Sequence, residues 1–115
     1  MDYKEFIDNI HHFPTEGIIY RDIQPILAND KVFQSVIQDM GNLIDEIPDY
    51  WVAIESRGFL FATALSLQFG GGVRIVRKKG KLPNRQLFSV KYGLEYGEDE
   101  LEMAYIPKHD FGTCV

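Results

Sequence analysis

The chain is poor in cysteine, in long apolar runs and in net positive charge, and each shortage argues against a class of protein. One cysteine in 115 residues, Cys114, cannot form an internal disulfide, so we expect a reducing, cytoplasmic compartment. No apolar run approaches the roughly 20 residues that cross a bilayer, and the first residues lack the basic start of a signal peptide. The excess of 17 acidic over 12 basic side chains argues against a nucleic acid or a membrane surface as partner.

What remains is the composition of a folded globular domain. Hydrophobic residues make up 45% of the chain and charged residues 25%, and the length suits one hydrophobic core. The sequence contains neither an internal repeat nor a low-complexity tract. We therefore expect a single domain over residues 1–115.

Apolar spacing predicts two helices and a loop in the first part of the chain. The residues from Tyr3 to Ile10 have the spacing of a short amphipathic helix, which Pro14 would stop. The stretch "FPTEGIIYRDIQP" is interpreted as an ordered loop. Asp30 is predicted to cap a second helix, whose 3.6-residue period continues up to Pro48.

The second part of the chain reads as a strand, a helix and a parallel strand, followed by a hairpin. The predicted elements are a strand at 51–54, a helix over about 58–69 that ends at three glycines, and a strand at 73–79. The stretches "LFSVKYGLEYG" and "ELEMAYI" predict two more strands around a turn at 97–99, with the acids at 98–100 in solvent. The fold class is therefore α/β, with a parallel sheet flanked by helices and a β-hairpin that could act as a lid.

Charged residues interrupt the apolar pattern directly after the first of the two parallel strands. In open α/β sheets, ligands bind beyond the carboxyl ends of strands, where the next helix begins and its free N–H groups favour anions. Arg57 at a helix start, with Gly58 allowing close backbone approach, predicts an anion site suited to phosphate or diphosphate. The alternative is that Glu55 and Arg57 pair with other surface charges.

A second charged segment follows the next parallel strand. The sequence "RKKGKLPNR" places five cations within nine residues of an acidic protein: Arg77, Lys78, Lys79, Lys81 and Arg85. If this run and the Arg57 junction meet at one edge of the sheet, the two would hold one extended anionic ligand. The alternative is a solvated basic turn.

Two further features have both a functional and a structural interpretation. Glu95 lies between aromatic and apolar neighbours on the hairpin, where desolvation would raise the pKa of its carboxyl and suit it to proton transfer; otherwise it is a solvated side chain. The three histidines, His11, His12 and His109, have no metal-ligand spacing, so no protein-held metal is expected.

Four of these motifs, in this order, resemble the adenine phosphoribosyltransferases. They are "FPTEGIIYRDIQPIL", "ESRGFLF", "RKKGKLP" and "YGLEYGEDELE", and together they extend over nearly all of residues 12–103. The resemblance implies a type I phosphoribosyltransferase fold. It also implies transfer of 5-phosphoribosyl from phosphoribosyl pyrophosphate (PRPP) to adenine, which gives AMP and pyrophosphate in purine salvage.

The resemblance also assigns roles to individual residues. It implies Glu95 and Arg57 as catalytic residues, with Glu95 exchanging a proton near the purine imidazole nitrogen. Substrate-binding residues would include the purine-site residues Ile19, Tyr20 and Arg21, the diphosphate-site residues Glu55, Ser56, Arg57, Gly58, Arg77, Lys78 and Lys81, and Tyr96, which would close over the site. Mg²⁺ would be bound mainly through PRPP, and a homodimer is expected.

One element of the wider phosphoribosyltransferase class is expected to be missing. It is a strand that ends in two acids, followed by a small-residue loop that cradles the ribose 5-phosphate. Residues 113–115 resemble the first residues of that strand, so we expect the chain to be truncated there. The alternative functional interpretation is therefore a catalytically incompetent module that binds purine and pyrophosphate.

Overall fold

A computed structural model describes residues 1–83, 86–94, 97–106 and 112–115. The chain divides into two compact units, Met1–Leu43 and Ile44–Val115. Among the helices of the described residues, none combines the length and the apolar character needed to cross a membrane.

The N-terminal unit contains a short 3-10 turn, a two-stranded sheet and two helices. Its elements are the turn Tyr3–Phe6, β1 Asp8–His11, β2 Ile19–Asp22, α1 Gln24–Ala28 and α2 Asp30–Asn42. The predicted first helix is wrong beyond the turn, because the following residues pair with β2 as an antiparallel strand. The interpretation of residues 13–25 as a loop is wrong for β2 and for the start of α1. The pairing of β1 with β2 explains both strands, and the local spacing of apolar residues does not reveal a pairing partner.

Helix α2 begins and ends differently from its prediction. The side chain of Asn29, not that of Asp30, caps the helix by accepting a hydrogen bond from the Val32 amide at 3.1 Å. Asp30 is the first helical residue, where its negative charge interacts favourably with the positive end of the helix dipole. The helix ends at Asn42, where the Leu43 amide closes a tighter turn onto Met40 O at 3.2 Å.

In its described residues, the C-terminal unit has a four-stranded mixed sheet and one helix. Its elements are β3 Tyr50–Ile54, α3 Arg57–Phe69, β4 Gly72–Lys78, β5 Leu87–Leu94 and β6 Gly97–Ala104. The spatial order of the strands is β3-β4-β6-β5. β3 and β4 are parallel and are connected through α3, which confirms the predicted strand, helix, strand unit.

The hairpin is part of this sheet, since β6 pairs antiparallel with both β4 and β5. The predicted parallel strands and the predicted β-hairpin thus form one mixed sheet, in which β3 and β4 are the parallel pair. Leu94 pairs with Gly97, so residues 97–99 belong to β6 and the turn predicted there is wrong.

A small core joins β3 to α3. Trp51 and Ala53 of β3 and Ala62 and Leu65 of α3 are all at most 5% exposed. The Trp51 indole donates a hydrogen bond of 2.8 Å to the carbonyl of Gly70, where α3 ends. This bond ties the start of β3 to the glycine turn that leads into β4.

The last residues extend the sheet on the other side of β3. Tyr50 N donates to Thr113 O at 3.0 Å, Val115 N donates to Tyr50 O at 3.0 Å, and Val52 N donates to Val115 O at 2.7 Å. The pairing of Tyr50 with Cys114 is parallel. Residues 113–115 therefore pair with β3 in the parallel sense.

Candidate functional site

The two charged segments predicted from the sequence emerge at the same edge of the C-terminal sheet. Ile54 pairs with Val76 at the ends of the parallel strands β3 and β4, so the residues after each strand leave the sheet side by side. Glu55 continues this pairing by one residue, because its amide donates to Val76 O at 2.9 Å. The edge thus brings residues 55–58 next to the basic segment, which we define as residues 77–81.

Glu55 lies between the two segments. Its side chain is only 8% exposed, and Lys81 Nζ donates to Glu55 Oε2 at 2.9 Å. The backbone amide of Lys78 donates to Glu55 Oε1, and Arg77 Nε lies 3.7 Å from the same oxygen. These groups hold the pKa of the Glu55 carboxyl below its ordinary value, first through the Lys81 hydrogen bond and then through the Lys78 amide, against the opposing effect of desolvation.

The structure therefore matches both interpretations of this junction in part. Glu55 does pair with neighbouring cations, as the structural alternative held. Its partners belong to the basic segment, however, so the pairing also produces the convergence that the ligand hypothesis requires. Glu55 is consequently an anion inside a group of cations.

The basic segment also contacts acidic residues of β6. Lys78 Nζ lies 3.8 Å from Asp99 Oδ2, and Lys79 Nζ lies 3.3 Å from Glu100 Oε2. The Gly80 amide donates to Glu102 Oε1 at 2.8 Å. The prediction that the acids at 98–100 form a solvated turn is therefore wrong for Asp99 and Glu100, which are strand residues that face cations.

Local hydrogen bonds lower the pKa of both carboxyls. For Asp99 the largest cause is the Glu100 amide, followed by the Tyr92 hydroxyl at 3.0 Å. For Glu100 the largest cause is the hydroxyl of Ser89, and Lys79 adds to it. Both side chains are therefore anionic at neutral pH and compensate part of the charge of the basic segment.

Sequence reasoning missed these β6 contacts, although a signal for them was present. The acidic run at 98–102 and the basic run at 77–81 have opposite charge. In the register of β4 with β6, Arg77 stands opposite Glu102 and Lys78 opposite Leu101. A prediction of which strands pair would have brought the two runs together.

Arg57 is the first residue of α3 and is exposed, two positions after Glu55. The side chain of Ser56 at the N-cap makes no capping hydrogen bond, and the peptide bond between Glu55 and Ser56 is cis. Gly58 lies against β3: a Cβ there would be 3.7 Å from Ala53 Cβ, which is ordinary contact. The structure thus places Arg57 at a helix start on the same edge as the basic segment.

The predicted purine-site residues lie in β2 of the N-terminal unit. Arg21 Nη1 donates to the side-chain oxygen of Asn9, which is its partner across the sheet. The rings of Phe13 and Tyr20 meet edge to face with their centroids 5.2 Å apart. Ile19 is 42% exposed. Glu95 and Tyr96, the remaining predicted site residues, and Arg85 and His109 fall outside the described residues.

The described residues do not form a metal-binding cluster of their own. Within them, no group of three or more His, Cys, Asp or Glu side chains is placed to hold a metal ion. The carboxylates nearest the charged edge, Glu55, Asp99 and Glu100, each contact a lysine. This donor set does not form a cage of oxygen ligands, and it fits a Mg²⁺ ion only if phosphate oxygens supply most of the coordination.

Comparison with solved structures defines the class of this fold. The chain superimposes on adenine phosphoribosyltransferase from Thermoanaerobacter pseudethanolicus with a TM-score of 0.81 and 41% identity, covering 89% of this chain and 59% of that one. The Saccharomyces cerevisiae enzyme, complexed with an imino-altritol bisphosphate and adenine, gives a TM-score of 0.80 and 38% identity, covering 89% and 60%. The architecture is thus that of the type I phosphoribosyltransferases, which confirms the predicted fold.

Curated protein sequences that are similar to this chain carry the name of one enzyme within this class. Adenine phosphoribosyltransferase from Carboxydothermus hydrogenoformans is 46% identical over 104 residues, which are 90% of this chain and 61% of that protein. The corresponding protein of Thermosipho melanesiensis is 47% identical, with 90% and 59% covered. No protein-family model matches. The chain is therefore a relative of the adenine phosphoribosyltransferases, as the motifs indicated, and spans about three fifths of the length of those relatives.

Proposed function

We propose that this chain belongs to an enzyme that transfers a 5-phosphoribosyl group from PRPP to adenine, giving AMP and pyrophosphate. The observation that carries the proposal is the meeting of the Arg57 junction and the basic segment at one sheet edge, where Glu55 contacts Lys81 at 2.9 Å. Two cationic segments on one edge suit a ligand with two adjacent phosphates. The likeness to adenine phosphoribosyltransferases in sequence and fold supports the same function.

In this proposal the charged edge binds the leaving diphosphate. Arg57, Arg77, Lys78 and Lys81 supply positive charge, and the backbone around Ser56 and Gly58 comes close to the phosphate oxygens. Glu55 takes part through its contacts with the basic segment. Because negative charge accumulates on pyrophosphate as its bond to the ribose breaks, preorganised cations would stabilise the transition state more than the ground state.

The purine would be held by β2. The backbone of Ile19 would hydrogen-bond the edge of adenine, the ring of Tyr20 would stack on the base, and Arg21 would help to fix it. The edge-to-face contact with Phe13 would keep the Tyr20 ring from turning away from the base. Asn9 would orient Arg21 in the same way, since it accepts a hydrogen bond from the guanidinium.

The remaining roles come from the family resemblance. Glu95 would exchange a proton with the imidazole nitrogen of the purine, and Tyr96 would close over the bound substrates and exclude water. In a form of the protein that turns over, Glu95→Gln is expected to lose activity and keep adenine binding. A variant with normal turnover would remove Glu95 from the mechanism.

Mg²⁺ is the proposed metal and would be bound through PRPP. When bound, it supplies charge neutralisation of the diphosphate oxygens. The described residues would contribute lysine and arginine contacts to the same oxygens rather than ligands to the metal. A homodimer in the cytoplasm is proposed on the family resemblance and on the single cysteine, and sedimentation tests the dimer.

The second candidate function is a module that binds purine and pyrophosphate without catalysis. It needs only the residues of β2 and of the charged edge, which the structure describes. Incubation with labelled adenine, Mg²⁺ and PRPP separates the two candidates. AMP formation supports the enzyme, thermal stabilisation by adenine without turnover supports the module, and the absence of both effects contradicts both.

A further inference from the structure

We propose that Glu55 is a positioning residue that fixes the basic segment against the end of β3 and so presents its cations as one preformed site. The inference rests on the proposed function for its ligand, which is a diphosphate. It assigns Glu55 an indirect role, in place of the direct substrate contact expected from the sequence.

Several donors of the basic segment converge on the Glu55 carboxylate. Three groups of the basic segment reach Glu55: the Lys81 ammonium, the Lys78 amide and, at 3.7 Å, Arg77 Nε. The side chain of Glu55 is 8% exposed, whereas that of Lys81 is 50% exposed. A carboxylate removed from solvent and surrounded by donors is a structural anchor, and it leaves the outer side of the lysine accessible to a ligand.

The contacts of Glu55 also span the connection after β4. Within this connection, the Lys81 amide donates to Lys78 O at 3.2 Å, which closes a turn around Gly80. Glu55 holds both ends of this turn, Lys78 through its amide and Lys81 through its side chain. Loss of the carboxylate would therefore release the turn, although the acids of β6 would still contact Lys78 and Lys79.

Arg77 also depends on Glu55. Among the described side chains, Arg77 Nε is a buried nitrogen that has no hydrogen-bond partner. A buried donor without an acceptor is costly, and the Glu55 carboxylate 3.7 Å away offsets part of that cost as an ion pair. Loss of the Glu55 carboxylate would leave this nitrogen without its ion-pair partner.

A purely electrostatic role and a positioning role of Glu55 predict opposite changes in anion affinity when Glu55 is replaced. If Glu55 acted only through its negative charge, its removal would make the edge more positive and tighten the binding of anions. If Glu55 positions the cations, its removal would loosen them and weaken binding. The sign of the change in affinity therefore decides between the two roles.

Limited proteolysis tests positioning without any ligand. We expect trypsin to cut within residues 77–81 of Glu55→Ala about fivefold faster than in the unaltered chain, because local opening governs cleavage. Glu55→Gln keeps the volume and one acceptor oxygen and should give an intermediate rate. Glu46→Ala removes an exposed carboxylate of the same unit and should give no change. A thermal melt followed by Trp51 fluorescence shows that each variant is folded, and an unchanged cleavage rate in both Glu55 variants would overturn the proposal.

Calorimetric titration with inorganic pyrophosphate and Mg²⁺ tests the ligand. We expect about tenfold weaker binding for Glu55→Ala, because the charged hydrogen bonds that orient the cations are lost. Glu46→Ala should bind unchanged. Tighter binding of pyrophosphate by Glu55→Ala would overturn the positioning role of Glu55. If the unaltered chain binds no pyrophosphate, the diphosphate function fails, and the proteolysis result still decides whether Glu55 positions the segment.

Discussion

Lys81 Nζ lies 2.9 Å from Glu55 Oε2, a contact that joins two strand ends 26 residues apart in sequence. Neither residue belongs to a strand or helix, yet their contact fixes how the connections after β3 and β4 lie relative to each other. The same carboxylate accepts a hydrogen bond from the backbone amide of Lys78. This arrangement makes the charged edge sensitive to the protonation of one glutamate.

The stability of the fold should therefore fall in acid. The pKa values of Glu55, Asp99 and Glu100 are lowered in the folded chain, so the unfolded chain binds more protons over the interval between the folded and unfolded pKa values. Their contribution is complete above the ordinary carboxyl pKa of about 4 and is lost as pH falls through the lower folded values. Thermal melts from neutral pH down to about pH 2.5 measure the effect.

A matched variant isolates the part due to Glu55. Glu55→Gln cannot lose a proton, so its melting temperature should vary less with pH over the acid range than that of the unaltered chain. Glu46→Gln, in the same unit, should retain the full dependence. Identical pH profiles for Glu55→Gln and the unaltered chain would contradict the assigned pKa shift.

Gly71→Ala should destabilise the C-terminal unit strongly. Gly71 has a φ of +85°, and a Cβ there would lie 2.5 Å from Pro48 O and 3.2 Å from Trp51 Nε1. We expect a loss of about 3 kcal/mol, from the combined backbone strain and steric overlap. Urea denaturation followed by Trp51 fluorescence measures the free energy of unfolding.

Gly80→Ala is the control for the backbone part of this loss. Its φ of +86° is nearly the same, but nothing lies within 4 Å of a Cβ at that position. The expected loss is about 1 kcal/mol, which is the cost of the left-handed conformation alone. Equal losses at the two positions would show that the contacts around Gly71 relax without cost.

The parts of the fold that the sequence predicts well are those decided by local pattern. One such part is the unit formed by the apolar strand at Trp51, the helix after it and the β-branched strand that follows. The crossover in units of this kind is almost always right-handed. The parts predicted wrongly depend on distant partners. β1 pairs with β2, and β6 pairs with β4, in registers that no short window of sequence contains.

The same distinction applies to the candidate site. The position of Arg57 and of the basic segment at one edge followed from the parallel arrangement of β3 and β4. The contact of Lys81 with Glu55 did not follow from that arrangement. The sequence spacing shows that Glu55 lies near the edge but leaves open which cation it contacts. The pairing of Lys79 with Glu100 depended in turn on the antiparallel hairpin, which was predicted with the wrong turn.

Asp49→Ala should loosen residues 113–115. The Asp49 carboxylate accepts from the Thr113 amide at 2.8 Å, and the Asp49 amide donates to Thr113 Oγ1 at 3.2 Å. Losing the carboxylate should cost about 1 kcal/mol, the usual net value of such hydrogen bonds. Hydrogen exchange of the Thr113 amide should accelerate, whereas Asp45→Ala, an exposed change nearby, should leave it unaltered. An unchanged exchange rate in Asp49→Ala would show that the backbone pairing with Tyr50 is sufficient.

Arg57→Ala should weaken pyrophosphate binding without unfolding the protein. Arg57 is exposed at the first position of α3, and alanine is a good helix former at that place, so we expect the fold to persist. Charged hydrogen bonds to phosphate are strong, so we expect about a tenfold loss of affinity in calorimetry with Mg²⁺ present. Lys31→Ala removes an exposed cation from α2 and controls for the change in net charge. Unchanged affinity in Arg57→Ala, with an unchanged melting temperature, would exclude Arg57 from the diphosphate site and leave the basic segment as its only candidate among the residues described.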